Sequence, residues 1–278
     1  MLSVYEYLAR LGPGRLGSAS AAFLLMAACG DAPQAQDTPP PRAAAATASV
    51  PADHAPWAAF LAEYVRPSGD GINLVDYGRA VQDGRDQLKP YLDHLQSVDV
   101  DAMGRDDQMA FWINLYNAAT VDLILQEYPI ASIKRLGALG QGPWKRDILT
   151  VGGRSLSLDD IEHAILRPGW KDVRIHYAVN CASIGCPNLA DEPFTADRLE
   201  AMLDAAAESY VNHPRAFSNV DGDLVASSIF DWYQDDWGDE GDVLDHARRF
   251  ARGEAAAALA DADGIDDYDY DWSLNDTP

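Results

Sequence analysis

Between Gln108 and Tyr128 the chain offers almost no polar face. The heart of this run is Ala110-Phe111-Trp112-Ile113-Asn114-Leu115-Tyr116-Asn117-Ala118-Ala119. An amphipathic helix needs one neighbour; a helix apolar on every side must be wrapped. The run therefore predicts a central, buried helix stopped by Pro129. The wrapping has to come from the rest of the chain. Pro56 to Val65 carries Trp57, Phe60, Leu61 and Tyr64 at helical spacing. Leu88–Leu95, Thr195–Asn212 and Leu244–Leu259 also read as helices, and Ser157–Leu166 as a helix capped by Ser157 with Asp160 three residues on. Val173 to Asn180 alternates like a strand, and Leu224–Ser227 reads as a short one. At the chain's end Tyr268, Tyr270, Trp272 and Leu274 alternate with polar residues, which predicts a further strand with one aromatic face. Helices mixed with scattered short strands predict an α+β fold: a single domain with a buried central helix packed on a small, mainly antiparallel sheet.

That domain does not need the whole chain of 278 residues. Residues 1–29 read as an export leader of the lipoprotein type. Arg10 and Arg15 supply a positive flank, diluted by Glu6, and Gly17 to Ala28 is small and apolar. The run is shorter than the ~20 residues of a spanning helix. It ends in Met26-Ala27-Ala28-Cys29-Gly30, which resembles a lipobox with Met in place of the usual Leu. Cys29 is then the lipidation site, or the leader is a plain secretory signal cut after an Ala-x-Ala-like site. Residues 30–55 are rich in Pro and Ala and too poor in large apolar groups to fold, as a tether would be. Residues 56–278 remain for the globular domain. The expected location is the cell envelope, with the membrane engaged through the N-terminal lipid. The formal net charge of -23 sets the surface against phosphate backbones, so nucleic acid is not an expected partner.

Chemistry concentrates in the middle of the domain. Leu158, Ile161, Ile165 and Leu166 mark the buried stripe of the Ser157 helix, and Glu162 falls inside it. A buried carboxylate needs a partner, and Arg174 and His176 follow on the next element. Cys181 sits where that element ends, before Ala182-Ser183-Ile184-Gly185. A thiolate, an imidazole to deprotonate it and an acid to orient the imidazole make a minimal thiol-catalysis set, and Cys181, His176 and Glu162 supply one of each. On an unbroken strand positions 176 and 181 face opposite ways, so the set closes only if the strand turns at Asn180 or Cys181. Asn180, Asn114 and Asn117 are candidate oxyanion donors or supports; buried amides equally well hold a loop. Three other readings of the thiols stay open: a Cys181–Cys186 disulfide, zinc held by His176, Cys181 and Cys186, or an inert buried cysteine. His54, His94, His213 and His246 read as solvated, Asp235, Asp236, Asp239, Glu240 and Asp242 as a solvated acidic face, and Trp232, Tyr233 and Trp237 as core. No phosphate-binding, dinucleotide or His-Glu-x-x-His motif occurs, and no cofactor is expected.

Four segments together resemble the domain of unknown function 547 family. They are Phe111–Ala118, Leu158–Arg167, Ile175–Ser183 and Ile229–Tyr233, and the likeness runs from about Trp57 onward. The resemblance implies a rearranged papain- or transglutaminase-like fold, in which the histidine precedes the cysteine. Two functions follow as expectations. One is a thiol hydrolase or acyl transferase acting on an amide, peptide or thioester in the cell envelope. The other is a non-catalytic, envelope-anchored module, with a structural disulfide or buried thiol, that binds a peptide-like or small-molecule ligand.

Overall fold

The computed structural model describes residues 51–137 and 142–278. The leader, Cys29 and most of the tether lie outside the described residues. Those described belong to one compact unit.

The fold is organised by a helix of 23 residues, α3 (Arg105–Glu127), from which Met109 to Val121 is buried without interruption. It packs against α2 (Tyr77–Ser97), whose first turn is capped by the Asp76 carboxylate accepting from the Arg79 N–H at 3.1 Å. Helix α1 (Ala55–Tyr64) lays Trp57, Phe60, Leu61 and Tyr64 against α2. These side chains, with those of α3, form the larger of two apolar clusters. The second cluster gathers Tyr177, Tyr210, Phe217, Phe230, Val243 and Leu244 from the later part of the chain.

The strands are short and peripheral. β1 (Val65–Pro67) pairs antiparallel with β2 (Asn73–Val75). β3 (Leu149–Val151) and β4 (Arg154–Leu156) form a hairpin whose turn, Gly152-Gly153, has positive φ at both residues, as a two-residue hairpin turn requires. β5 (Phe217–Val220) and β6 (Asp223–Ser227) make a second hairpin, and β7 (Asp267–Asp269) adds to β6 in parallel. The fold is thus mixed α and β with small, mainly antiparallel sheets, as the pattern predicts.

Several elements differ from the sequence expectation, each for a physical reason. Val173–Asn180 is not a strand: Ile175–Ala178 is one helical turn, α5. All four of its residues are buried, so alternation carried no information about faces. The Asp172 carboxylate accepts from the Arg174 N–H at 2.9 Å and starts the turn. The Ser157 helix forms with the expected cap, Ser157 N–H donating to Asp160 at 2.9 Å. Its body, Asp160–Leu166, is π-helical, with the Arg167 N–H reaching back to the Glu162 carbonyl, and it continues as α4 (Arg167–Trp170). Helix α6 (Leu199–Val211) begins later than Thr195. Ser228–Trp232 (α7) and Gln234–Trp237 (α8) are short helices. The expected Leu244–Leu259 helix is two, α9 (Glu240–Phe250) and α10 (Gly253–Ala260), parted where Gly253 takes a positive φ. The aromatic end pairs as a strand only through Asp267–Asp269; beyond it, single bridges join Ser183 to Leu274 and Val75 to Asp276. Among the described residues, no helix is long and apolar enough to cross a membrane.

Candidate functional site

The loop from Val179 to Pro187 is held from three sides. From α3, Asn117 accepts the Asn180 N–H at 2.8 Å and donates to the Ala178 carbonyl at 2.9 Å. Within the loop, Asn180 accepts the Ala182 N–H at 2.9 Å and donates to the Pro187 carbonyl at 2.7 Å, tying its two ends together. The C-terminal segment supplies the third side: Ile184 and Gly185 donate to the carbonyls of Ser273 and Asp271, each at 2.8 Å. The approach is so close at Gly185 that a Cβ there would sit 2.9 Å from the Asp271 nitrogen. Ala182, fully buried, is held at φ 57, a left-handed conformation that costs a residue with a side chain about 1 kcal/mol or more. Asn114 acts elsewhere, donating to the Phe194 carbonyl and accepting its N–H. The three asparagines therefore hold backbone, the supporting role, rather than pointing donors at an oxyanion.

This clamp presents two free thiols. The sulfurs of Cys181 and Cys186 are 3.0 Å apart. Cys181 is half-buried and Cys186 buried. Around the Cys181 sulfur stand the Ser183 hydroxyl at 3.1 Å and the Tyr270 hydroxyl at 3.0 Å, themselves 2.9 Å apart. The Cys181 N–H donates to the Cys186 sulfur at 3.0 Å. Hydrogen bonding from Cys186, and then from Ser183 and Tyr270, lowers the Cys181 thiol pKa against the effect of burial. Burial pushes the Cys186 thiol well up.

His176 is not on this sulfur. Its Nε2 donates to Asp236 at 2.7 Å, and its Nδ1 lies 3.9 Å from the Glu162 carboxylate. The ring is stacked between Tyr233 at 4.4 Å and Trp237 at 5.1 Å. Arg167, one residue past the π-helical stretch, holds the same Asp236 through Nε at 2.5 Å and Nη2 at 2.9 Å. Its Nη1 donates to the His163 Nδ1 at 3.0 Å, which fixes that imidazole as the Nε2–H tautomer. Burial opposes ionisation of Asp236, but the bonds from His176 and Arg167 outweigh it and hold the carboxyl well below the usual range. Glu162 is buried, as its place on the stripe predicts, and its charge, after burial itself, raises the Tyr233 pKa. Arg174 serves Asp172, Glu200 and Asp204 instead.

The expected chain from Glu162 through His176 to Cys181 is therefore not joined at the sulfur: both ring nitrogens of His176 face carboxylates. Glu162 still lies close enough for its charge to act on the Cys181 thiol. Residues that the sequence pattern did not single out complete both centres: Asp236 and Arg167 in one, Ser183 and Tyr270 in the other. Asp236 lies in a run expected to be a solvated acidic face; the usable signal was its position between Tyr233 and Trp237. His246, expected to be solvated, is buried in a stack with Tyr177. Trp232, expected in the core, is 39% exposed. Zinc ligation by His176 with the two cysteines finds no support in this geometry, and among the described residues no three His, Cys, Asp or Glu side chains converge for a metal ion.

Fold and site together define a mixed α/β domain built around a clamped two-cysteine loop. Over residues 100–211 the chain is similar to the family described as "Protein of unknown function, DUF547". The matched stretch holds Glu162, His176 and both cysteines, while Tyr233, Asp236 and Tyr270 fall outside it. No curated protein and no solved structure matches the chain.

Proposed function

We propose that this domain is a thiol-dependent hydrolase or acyl transferase of the cell envelope, held there through a lipid on Cys29, in which Cys181 attacks an amide, peptide or thioester carbonyl. The observation that carries the reading is the half-buried Cys181 sulfur with the Ser183 and Tyr270 hydroxyls and the Cys186 thiol all within 3.1 Å. Donors at that distance favour the thiolate, which is the attacking species. In the reaction, a bond forms between the Cys181 sulfur and the carbonyl carbon. The bond to the amine or thiol leaving group breaks, and that group departs with the proton that the Cys181 thiol gave up. Water or an acceptor amine then takes the acyl group and frees the thiol. Ser183 and Tyr270 are the hydroxyls nearest the reacting atoms. The permuted papain-like arrangement belongs to this proposal, with the His176–Asp236 pair and Glu162 as a charged layer near the Cys181 loop that does not touch its sulfur.

A specific observation favours the second reading, a non-catalytic module for a peptide-like or small-molecule ligand: the His176 Nε2 is bound to Asp236 and its Nδ1 faces Glu162 at 3.9 Å, so neither nitrogen is bonded to the Cys181 sulfur. One experiment separates the two. Reduced protein is incubated with a panel of acyl thioesters and peptidyl amides, and the peptide containing Cys181 is weighed by mass spectrometry. An acyl adduct on Cys181, absent from folded Cys181→Ala, is the expected result. No adduct on Cys181, whether or not iodoacetamide labels it near neutral pH, gives the second reading.

A further inference from the structure

Cys186 forms no covalent bond in the proposed acyl transfer, yet its sulfur touches that of Cys181. We propose that Cys181 and Cys186 form a redox-active pair, in which Cys181 exchanges with an external disulfide and Cys186 resolves the mixed disulfide that results.

Four features of the loop support this. The sulfurs are 3.0 Å apart, so they need to close by only about 1 Å to reach bonding distance. Their exposure is unequal in the useful direction: Cys181 is half-buried and can meet a partner, whereas Cys186 is only 4% exposed and cannot. Asn180 ties the residues flanking the pair, through Ala182 and Pro187, so the loop is closed before any bond forms. The Cys181 N–H donates to the Cys186 sulfur at 3.0 Å, a bond that strengthens as Cys186 loses its proton.

The exchange balances as follows. The Cys181 thiolate attacks one sulfur of a small-molecule or protein disulfide, a sulfur–sulfur bond forms to Cys181, and the other half leaves as a thiolate that takes up a proton. Cys186 then gives up its proton and attacks the Cys181 sulfur. The Cys181–Cys186 bond forms, and the second half leaves as a thiol. Two electrons have passed from the cysteine pair to the external disulfide; an external dithiol reverses both steps. The reduced form keeps the Ser183 and Tyr270 hydrogen bonds to the Cys181 sulfur, which opposes irreversible closure. Oxidation also removes the nucleophile of the proposed acyl chemistry, so the pair would switch that chemistry off; the exchange itself does not depend on it.

The test uses the full chain, equilibrated in mixtures of reduced and oxidised glutathione, then alkylated and read by mass spectrometry on the peptide that holds both cysteines. Site-resolved reading keeps Cys29 out of the result. The expected outcome is one reversible transition between a doubly alkylated form and an unalkylated form lighter by two hydrogens. Cys186→Ala should trap glutathione on Cys181, while Cys181→Ala should leave Cys186 without glutathione. Cys186→Ser serves if the alanine variant loses its circular dichroism. Two thiols alkylated at every ratio, or no glutathione on Cys181 in either folded Cys186 variant, overturns the proposal. An acyl adduct on Cys181 in the Cys186 variants would leave the acyl reading standing whatever the redox result.

Discussion

His176 and Cys181 are neighbours in the chain, and the regions around them are built on opposite principles. Around His176 the ring nitrogens meet charges: Asp236 binds both the imidazole and the Arg167 guanidinium, and Glu162 faces the other ring nitrogen. The ring stacks on Tyr233 and Trp237. Around Cys181 the partners are neutral hydroxyls and a second thiol, and the sulfur keeps some exposure. A buried ion-pair network resists any change in its charge state, because each loss strands a partner. A thiol among hydroxyls can ionise, bond and be released. The contrast teaches that one centre fastens the domain while the other is free to react.

The largest effect should come from the fastening centre. Asp236→Ala strands Arg167 and His176 together. Breaking a fully buried pair costs about 3–5 kcal/mol; because Asp236 keeps 27% of its side chain exposed, about 2–3 kcal/mol is expected. Chemical denaturation of the variant measures this. The rate of iodoacetamide labelling at Cys181, taken on the folded variant, should stay near that of the parent. A labelling rate that collapses with the stability would merge the two regions into one.

A pH series sharpens the same contrast. Burial lowers His246, which stacks on Tyr177 beside Trp237, to about 4 from its ordinary 6.5. Burial also lowers His54, which belongs to neither centre, to about 4. Both folded values lie below the unfolded one, so the unfolded chain binds more protons between them. The stability these groups contribute is fully present above pH 6.5 and is lost as pH falls towards 4. Asp236, depressed below its ordinary 3.8, adds a second loss that begins only under that value. Thermal melts should therefore be flat above neutrality and fall in two stages. His246→Phe should remove only part of the first stage, which His246 shares with His54 and with His213, whose pKa burial also lowers. Equal slopes in variant and parent would show that His246 titrates the same way folded and unfolded.

How much of this was legible in the sequence depends on how local each signal is. Helix α3 was legible because a run apolar on every side admits one solution. The Ser157 cap and the burial of Glu162 were legible because both follow from helical spacing within one segment. The surroundings of Glu162 were not, since Tyr233, on which its charge acts, arrives from a distant segment. The helical turn at Ile175–Ala178 was hidden because both of its apparent faces are buried, which makes a strand and a turn read alike. Tyr270 was visible as one of an aromatic series, but its hydroxyl meets Cys181 across a separation of 89 residues. Asp236 was masked by its acidic neighbours, most of which are solvated or, like Asp239 and Asp242, cap α9.

The smallest predicted effect probes the reactive centre alone. Tyr270→Phe keeps the ring among Trp232 and Trp272, at 4.9 and 4.6 Å, and deletes only the hydroxyl. A hydrogen bond to a charged sulfur is worth about 1.5 kcal/mol, and its loss raises the Cys181 pKa. Below that pKa the thiolate fraction drops about tenfold, while each remaining thiolate becomes about threefold more nucleophilic. Labelling by iodoacetamide should therefore slow by about three- to fourfold, and less if the Ser183 hydroxyl turns fully to the sulfur. Stability should hardly move, since Phe stacks as Tyr does. A variant that labels at the parent's rate would remove Tyr270 from the thiol's environment. One that loses as much stability as Asp236→Ala would show that the Cys181 centre, too, is a fastening.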